Sequence, residues 1–443
     1  MKPVYGIDLG TTNSLIGVHG KLLTGLVSSN VDIRTRQEVP RDVISDDIVA
    51  SYKTDMSMGE SGELAITCST VVLKELVKRV KDSFNEDVED VVISVPAYFS
   101  TSQREAVYKA AGDAGLNVRR LINEPTAAAI YLCKDYSDLV VVYDLGGGTF
   151  DVSIVDSRLG NYTVIATDGK VLGGDNLDSA MVDTVIKETK MPLRLCSKQN
   201  RSKMRSTMRL VKESIQRDGK DVEVRLGEFG FDKNYTFTVS KYKELVDEVF
   251  GETIDRTEYL ISKHIPVSDV ERPKLVLVGG SSSCPYLKEL IRERLDVEVV
   301  EDELKPDLVV AQGVSIYANM VETGEAADMV DDVTKRLCIE EAGGQTLTII
   351  DSNSVIPCTN SIVVSNIKKS TTLELRLYQG DSIIAKNNAY IGTLKYDYGR
   401  EVEVGEGVVE VTVNVSVDGV ISLKACEILY GPESEQEIEL TAR

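Results

Sequence analysis

The most informative run of this chain reads Val140-Val141-Val142-Tyr143-Asp144-Leu145-Gly146-Gly147-Gly148-Thr149-Phe150-Asp151-Val152-Ser153-Ile154-Val155. Its apolar, β-branched start predicts a strand, its three glycines predict a turn, and its second apolar run predicts a returning strand. Glycines let backbone N–H groups approach a polyanion because they carry no Cβ. Thr149 adds a hydroxyl donor, and Asp144 is placed to face a hydrated Mg²⁺ ion. An ordinary glycine-rich hairpin explains this run alone equally well.

The N-terminus repeats the same plan in Val4-Tyr5-Gly6-Ile7-Asp8-Leu9-Gly10-Thr11-Thr12-Asn13-Ser14-Leu15-Ile16-Gly17-Val18. Each copy holds a strand, an Asp-Leu-Gly turn that bears threonine, and a second strand. The repetition indicates an internal duplication. Two lobes of this kind, facing each other, would hold a phosphate chain from both sides, and Asp8 and Asp144 could share one metal ion. A chance pair of hairpins is the less favoured explanation.

Composition limits the classes of function. The chain has 443 residues with a formal charge of −21, so as a whole it repels nucleic acid and anionic membranes. The sequence has neither a segment of signal-peptide form nor an apolar run of membrane-spanning length. Its seven cysteines are scattered without a CxxC pair, which favours a reducing, cytoplasmic compartment and argues against a thiolate metal site. His19 and His264 are the two histidines, so histidine-based chemistry is disfavoured.

The first third of the chain predicts strands and turns over residues 1–50 and a polar surface loop over 53–67. Helical spacing follows in Thr70–Asp82, and Val91–Val95 reads as a buried strand that ends at a proline. Ser100 and Gln103 have the spacing of a capping box, which predicts a helix that begins there.

Four further segments follow the central hairpin. Gly173–Asp178 is a glycine turn that opens a helix, and its N-terminus is either a phosphate site or a plain helix start. Lys198–Gln216 is helical and basic, and a basic stripe is usually a solvated face. Ser240–Ile261 predicts an amphipathic helix. Leu275–Ser283 predicts a buried strand that enters a glycine turn.

The pattern changes near residue 328. Residues 322–332 are acidic and indicate a boundary. Beyond them the apolar period becomes two, as in Leu373–Leu377 and Val409–Val417, and Asp418-Gly419 predicts a hairpin turn. Residues 335–443 are therefore predicted to form a separate antiparallel β-domain.

With these segments in place, the chain resembles the DnaK-like 70-kilodalton heat-shock chaperone family over nearly its full length. The motifs that carry the resemblance are the two phosphate loops Ile7–Ser14 and Asp144–Asp151, the connecting motifs Val95–Phe99 and Asn123–Ala129, and the adenosine side Val278–Ser281 with Lys305–Asp307. Together and in this order they are highly specific.

The resemblance implies an α/β actin-like two-lobed ATPase domain followed by an antiparallel β-sandwich that binds peptides. The implied nucleotide-binding domain covers residues 1–327 and is shortened between 40 and 70. An acidic linker covers 328–334, and the β-sandwich covers 335–443 without a helical lid. The implied reaction is slow hydrolysis of ATP to ADP and phosphate by attack of water, with Mg²⁺ as cofactor and K⁺ as a further candidate.

The resemblance also implies roles for individual residues. The catalytic set is Asp8, Lys53, Glu124, Asp144, Thr149 and Asp151, in which Asp8 and Asp144 hold Mg²⁺ through its waters. The nucleotide-binding set is Gly10, Thr11, Thr12, Asn13, Gly146, Gly147, Gly148, Gly173, Gly174, Lys212, Gln216, Gly279, Gly280, Ser281 and Asp307. The peptide-binding set is Ile339, Ala342, Val364, Leu373 and Leu375, of which Val364 and Leu375 could equally be core.

The implied partners are extended apolar peptides or unfolded proteins, a J-domain co-chaperone that contacts Arg120, and a nucleotide-exchange factor. Pro96 and Arg104 resemble the interlobe switch of the family. Neither nucleic acid nor a membrane is an expected partner.

The departures from the family pattern bear on function. The catalytic lysine of the family falls in the shortened segment, and Lys53 is the candidate substitute. Glu213 and Ser283 stand where many members carry arginines that sandwich the adenine, so we expect weak, poorly selective nucleotide binding. The charged linker and the missing lid favour weak coupling. The alternative function is therefore a nucleotide-binding scaffold with little turnover, and a sugar kinase of the same superfamily is a distant third.

Overall fold

The computed structural model describes residues 2–40, 43, 47–57, 62–97, 99–132, 139–158, 162–265, 272–300, 305–325, 331–332, 336–352, 354–380 and 382–438. Gly59, Tyr98 and most of the predicted linker 328–334 lie outside the described residues.

The first part of the chain contains β1 Val4–Leu9, β2 Asn13–Val18, β3 Lys21–Leu22, β4 Val27–Ser28, β5 Val31–Asp32, β6 Gln37–Glu38, β7 Ile48–Val49, α1 Glu63–Phe84, β8 Asp90–Val95, α2 Thr101–Asp113, β9 Asn117–Asn123 and α3 Glu124–Leu132. The middle part contains β10 Leu139–Leu145, β11 Phe150–Asp156, β12 Thr163–Lys170, α4 Gly174–Thr189, α5 Lys198–Asp218, β13 Val222–Arg225, β14 Asn234–Phe237, α6 Val239–His264, β15 Lys274–Val278, α7 Pro285–Arg294, β16 Glu298–Val300 and α8 Val309–Thr323. The last part contains β17 Asp331–Asp332, β18 Leu337–Glu340, β19 Thr346–Ile350, β20 Val355–Ile356, β21 Cys358–Ser365, β22 Ser370–Gln379, β23 Ala389–Val402, β24 Val408–Val415, β25 Ile421–Glu427 and β26 Gln436–Ile438. Within the described residues, none of the helices has both the length and the apolar character needed to cross a membrane.

Two sheets of the same plan organise the first three quarters of the chain. The strand order is β3-β2-β1-β8-β9 in one and β12-β11-β10-β15-β16 in the other. In each sheet an antiparallel hairpin, β1–β2 or β10–β11, lies beside a parallel strand, β8 or β15. Asp8 and Asp144 occupy equivalent positions, one residue before the ends of β1 and β10. The topology agrees with the duplication that the repeated sequence plan indicates.

Helices α3 and α8 pack between the two sheets. Their apolar residues form one core with Val92 of the first sheet and Val142 of the second. A Cβ on Gly313 of α8 would overlap the carbonyl oxygen of Ala127 on α3, so glycine permits the close approach of these helices. Separate cores lie on the outer faces of the two sheets. The two helices thus form a closely packed layer between the sheets.

The largest local difference from expectation lies in residues 53–67. The sequence predicts a loop there and a helix over Thr70–Asp82, whereas the structure has a 3₁₀ turn at Tyr52–Asp55 and a helix from Glu63 to Phe84. The helix begins earlier because buried residues such as Ala65 and Ile66 extend its apolar face. The predicted capping box at Ser100 and Gln103 is confirmed, since each side chain accepts a hydrogen bond from the backbone N–H of the other residue.

Within the described residues, the last part of the chain contains two four-stranded antiparallel sheets, β19-β18-β22-β23 and β21-β24-β25-β26, and the two-stranded pair β17–β20. Residues from both sheets form one core, as the alternating pattern predicts. The turn at Asp418-Gly419 joins β24 to β25, and Gly419 has the positive φ of 70° that favours glycine. Within the predicted linker, Asp331–Asp332 forms a strand that pairs with β20.

This C-terminal β-region contacts the first sheet through its β24–β25 turn, which we call the hairpin contact. Leu121 on edge strand β9 donates its N–H to Asp418 Oδ1 at 3.0 Å, and the Tyr108 hydroxyl donates to Asp418 Oδ2 at 2.7 Å. Arg104 Nη1 donates to the Asp418 backbone carbonyl at 3.1 Å. The carboxylate therefore satisfies a backbone donor that an edge strand otherwise leaves to solvent.

Candidate functional site

A cleft of about 320 Å³ lies between the two glycine turns. The predicted residues that line it are Asp8, Gly10, Thr11, Thr12, Asn13, Glu124, Asp144, Gly146, Gly147, Thr149, Gly174, Lys212, Gln216, Gly279, Gly280, Ser281 and Asp307. The structure thus brings together residues that are up to 299 positions apart in sequence, from Asp8 to Asp307. Of the remaining predicted residues, Gly148 faces Thr11, Gly173 packs on the Gly147 backbone, and Lys53 and Asp151 lie behind the lining.

Glycine is required where the two turns meet. A Cβ on Gly147 would overlap the Thr12 hydroxyl of the opposite turn. Gly279 has a φ of 81°, and a Cβ there would overlap Asp144 Oδ1. The turns therefore approach closely enough for their backbone N–H groups and hydroxyls to surround a single small anionic group.

A buried ion pair lies beneath the cleft. Lys53 Nζ is 2.5 Å from Glu124 Oε1, and the lysine is only 3% exposed. The 3₁₀ turn that follows β7 positions this lysine, and its ammonium group also lies over the Phe99 ring at 5.8 Å from the centroid. The structure therefore places Lys53 beside Glu124 and beneath the cleft, and its catalytic role stays a prediction.

Ionised together, the carboxylates around this pair would carry more negative charge than Lys53 can neutralise. Burial, together with the charge of Glu124, raises the pKa of Asp8 to about 6, against the opposing effects of Lys53 and the Ser94 hydroxyl. The same two causes raise the pKa of Asp144 and Asp151 well above their usual range.

This charge excess fits a divalent cation. Asp151 Oδ1 is buried without a hydrogen-bond partner. Among the described residues no three carboxylate, histidine or cysteine side chains converge as direct metal ligands. Two aspartates and a polar cleft suit Mg²⁺, which keeps several of its waters and takes one or two protein carboxylates.

The far end of the cleft holds a second charged cluster. Asp178 is fully buried, and Lys212 Nζ lies 2.6 Å from its Oδ1. Arg209 contacts Asp178 Oδ2 at 3.3 Å and Asp175 Oδ1 at 3.1 Å, so two carboxylates hold its guanidinium group. Glu213 is exposed at the cleft, which is consistent with a side chain that does not stack on a base.

One contact across the cleft has no counterpart in the sequence analysis. Ser51 donates its hydroxyl to Asp175 Oδ2 at 2.8 Å, which joins the segment after β7 to the first turn of α4. Ser51 has a φ of 56° and directly precedes the turn that carries Lys53. Sequence reasoning missed this pair because no local pattern distinguishes Ser51 from other loop serines.

The chain matches a model of a known protein family over nearly its whole length. The family model described as Hsp70 protein matches residues 21–443. The chain belongs to the Hsp70 family. Members of this family have the actin-like ATPase fold, generally bind ATP or ADP with Mg²⁺, and typically bind unfolded peptides. The predicted resemblance is therefore confirmed, and the match extends through the C-terminal β-region.

The residues predicted to bind peptide in this Hsp70-family chain lie mostly against the core of the β-region. Ile339 and Leu373 are 2% and 6% exposed and belong to the core cluster. Val364 and Leu375 are partly buried against the same cluster, whereas Ala342 is exposed in the turn between β18 and β19. Their assignment to a peptide site stays a prediction.

The predicted switch residue Arg104 lies between the cleft and the hairpin contact. Arg104 is buried, and its Nη2 donates to Asn123 Oδ1 at 2.8 Å. Asn123 directly precedes Glu124 at the start of α3. The arginine therefore joins the residue beside Glu124 to the Asp418 backbone. Arg120 is half-buried on β9, two residues from Ile122 of the inter-sheet core.

Proposed function

We propose that this chain is an ATP-dependent chaperone that hydrolyses ATP by attack of water at the γ-phosphate and binds extended apolar peptide segments. The observation that carries the proposal is the buried Lys53–Glu124 pair beside Asp8, Asp144 and Asp151, beneath a cleft formed by two glycine turns. Phosphoryl transfer to water needs positioning and charge neutralisation rather than a covalent nucleophile, and this arrangement offers both.

Asp8 and Asp144 would hold Mg²⁺ through its water ligands, and the ion would neutralise charge on the phosphate oxygens. The hydroxyls of Thr11, Thr12 and Thr149 and the turn amides would hold the β- and γ-phosphates. The N-terminus of α4 at Gly173–Gly174 would contact them from the other side. The wall of the cleft would thus supply hydrogen-bond donors to the phosphates, although the negative net charge of the protein disfavours the binding of an anion.

Glu124 and Asp151 would orient the attacking water, with Lys53 fixing the Glu124 carboxylate. A carboxylate with a raised pKa is a better proton acceptor, and burial raises the pKa of Asp151. Lys53 would also place positive charge near the transferred phosphoryl group. In this proposal Lys53 replaces the catalytic lysine of the family.

We further propose the domain limits 1–327, 328–334 and 335–443, with the last unit a β-sandwich that binds peptide. The shared core of its two sheets and the exposed position of Ala342 support this assignment. The peptide would contact Ile339, Ala342, Val364, Leu373 and Leu375. Unfolded proteins, a J-domain co-chaperone at Arg120 and a nucleotide-exchange factor are the proposed partners.

The deciding experiment is steady-state ATP hydrolysis by the full chain, with and without Asp144→Asn. Removal of one charged contact to the transition state typically costs about 3 kcal/mol, so we expect a loss of more than a hundredfold. Asp113→Asn, on the exposed end of α2, is the matched control and should hydrolyse normally. Near-normal hydrolysis in Asp144→Asn would refute the assignment of the metal.

A scaffold with little turnover is the second candidate function. It is favoured by the ion pairs that hold Arg209 against Asp175 and Asp178. An arginine held in this way cannot stack on the adenine in place of the arginines that many family members carry there. Nucleotide binding without measurable hydrolysis in the unmodified chain would support the scaffold instead of the enzyme.

A further inference from the structure

The hairpin formed by α4 and α5 carries a local charge opposite to that of the whole protein. Residues 187–205 contain seven basic residues and one acidic residue, in a chain whose formal charge is −21. The acidic residue, Glu188, points towards other elements, since it accepts a hydrogen bond from the Tyr235 hydroxyl and lies 3.8 Å from Lys241. Arg201 is paired with Asp183. Six bases remain.

We call these six residues the basic surface: Lys187, Lys190, Arg194, Lys198, Lys203 and Arg205. They lie at the end of α4, in the short connection, and in the first two turns of α5. The connection is compact, because the Asn200 side chain donates to the Leu195 carbonyl at 2.9 Å and the Met191 N–H donates to the Ile186 carbonyl at 3.1 Å. Five of the six bases are exposed and Arg205 is half-buried.

None of the six pairs with a carboxylate among the residues that the structure describes. Exposed lysines elsewhere are of both kinds: Lys2, Lys81 and Lys243 have acidic partners, whereas Lys21, Lys74 and Lys368 have none among the described residues. What distinguishes the basic surface is that six unpaired bases fall within residues 187–205, where the single acid is engaged with other elements. A protein with an excess of acids can neutralise its surface bases easily. A cluster left unneutralised in such a protein therefore has a local potential that attracts anions.

An exposed apolar side chain lies in the same connection as Arg194. Leu193 is 86% exposed in the connection, next to Arg194. A ligand that uses both features must combine negative charge with an apolar group.

We infer that the basic surface binds an acidic segment of a partner polypeptide that also presents an apolar side chain to Leu193. A short acidic segment needs to reach only this patch. A long polyanion such as nucleic acid would extend beyond it by more than a Debye length of about 8 Å and meet the acidic remainder of the protein. Its backbone would also leave Leu193 without a partner. The same repulsion disfavours an anionic membrane.

Fluorescence anisotropy with the full chain tests the inference. The probe is a fluorescein-labelled peptide of eight residues in which glutamates flank one central leucine. We expect saturable binding that weakens as salt rises, because surface ion pairs are screened. The triple variant Arg194→Glu, Lys198→Glu and Lys203→Glu should bind the peptide at least tenfold more weakly, which is about 1.4 kcal/mol.

Two controls separate the local surface from the overall charge. The triple variant Lys21→Glu, Lys74→Glu and Lys368→Glu makes the same change in net charge at exposed positions outside the basic surface, and it should bind normally. Leu193→Ser should lose affinity for the leucine peptide but not for a peptide with serine at that place. Circular dichroism checks that each variant is folded.

Several results would overturn the inference. Equal loss in both triple variants would show that the overall field is responsible. Absence of binding by the unmodified chain would show that the basic surface is only solvated. Tighter binding of a 20-nucleotide single-stranded DNA or of phosphatidylserine vesicles than of the peptide would show that the partner belongs to another class.

Discussion

The hairpin contact is open to a direct energetic test through Asp418→Ala. The substitution removes two hydrogen bonds to a carboxylate, from the Leu121 N–H and the Tyr108 hydroxyl, and keeps the bond from Arg104 to the backbone. Burial, and next the charge of Asp418, raises the pKa of Tyr108, so the phenol stays protonated and donates at neutral pH. Each hydrogen bond to a charged group contributes about 1.5–3 kcal/mol. Because the contact is only partly buried, we expect a total loss of about 2–4 kcal/mol. At about 1.4 kcal/mol per decade, docking of the hairpin should weaken by about 30- to 700-fold.

Amide hydrogen exchange measured by mass spectrometry is the assay. The Leu121 amide lies on an edge strand and its N–H is bonded to Asp418, so its exchange should accelerate by the same factor. Amides of β8, inside the sheet, should change little. Glu433→Ala, an exposed change in the same β-region, is the matched control. Unchanged protection at Leu121, with the β-region still folded, would refute the idea that Asp418 holds the two parts together.

Three further predictions concern the cleft and the β-region. Ser51→Ala removes the hydrogen bond to Asp175 across the cleft. Because such a bond contributes about 1.4 kcal/mol, release of a fluorescent ADP, measured by stopped-flow displacement, should become about ten times faster. An unchanged rate would show that the contact does not restrain the lobes. Ser283→Arg should strengthen ATP binding about tenfold and favour ATP over GTP, because a guanidinium group can stack on adenine. Calorimetric titration measures both affinities. If the affinity for ATP does not increase, another group must hold the base. Ala342→Glu should weaken binding of a fluorescent apolar heptapeptide without lowering stability. Leu373→Ala should weaken binding of the same peptide and also lower the free energy of unfolding by about 2–4 kcal/mol, since the Leu373 side chain packs in the core cluster. Unchanged peptide binding in both variants, or a loss of stability in Ala342→Glu measured by denaturant titration, would contradict these assignments.

The features that the sequence predicted are those with a local cause. The two Asp-Leu-Gly turns, the capping box at Ser100 and the Asp418-Gly419 turn each follow from residues that lie within a few positions of one another. The structure has all four. The pairing of the strands on either side of each turn follows in turn, because a tight turn fixes the register of an antiparallel pair.

The contacts that the sequence did not predict are those between distant segments. Ser51 and Asp175 are separated by 124 positions, and Tyr108 and Asp418 by 310. Periodicity reports which face of one element is buried and carries no information about which polar side chain meets another. The same limit applies to the β-region, where alternation predicts that Leu373 and Leu375 share a face but does not say whether a peptide or the protein core covers it.

The hairpin contact changes the argument about coupling between the two parts of the chain. From the sequence, the acidic linker predicts weak coupling, because aspartates resist desolvation in a groove. The structure offers a second connection that bypasses the linker: Asp418 contacts Arg104, Arg104 contacts Asn123, and Glu124 follows Asn123 in the chain. A peptide that altered the position of the β24–β25 turn would thereby act on the residue that holds Lys53. If peptide changes hydrolysis less than twofold, as the linker predicts, this connection is structural. If peptide changes hydrolysis more and Asp418→Ala removes the effect, the hairpin contact transmits it, because allostery requires an element whose docking both sites influence.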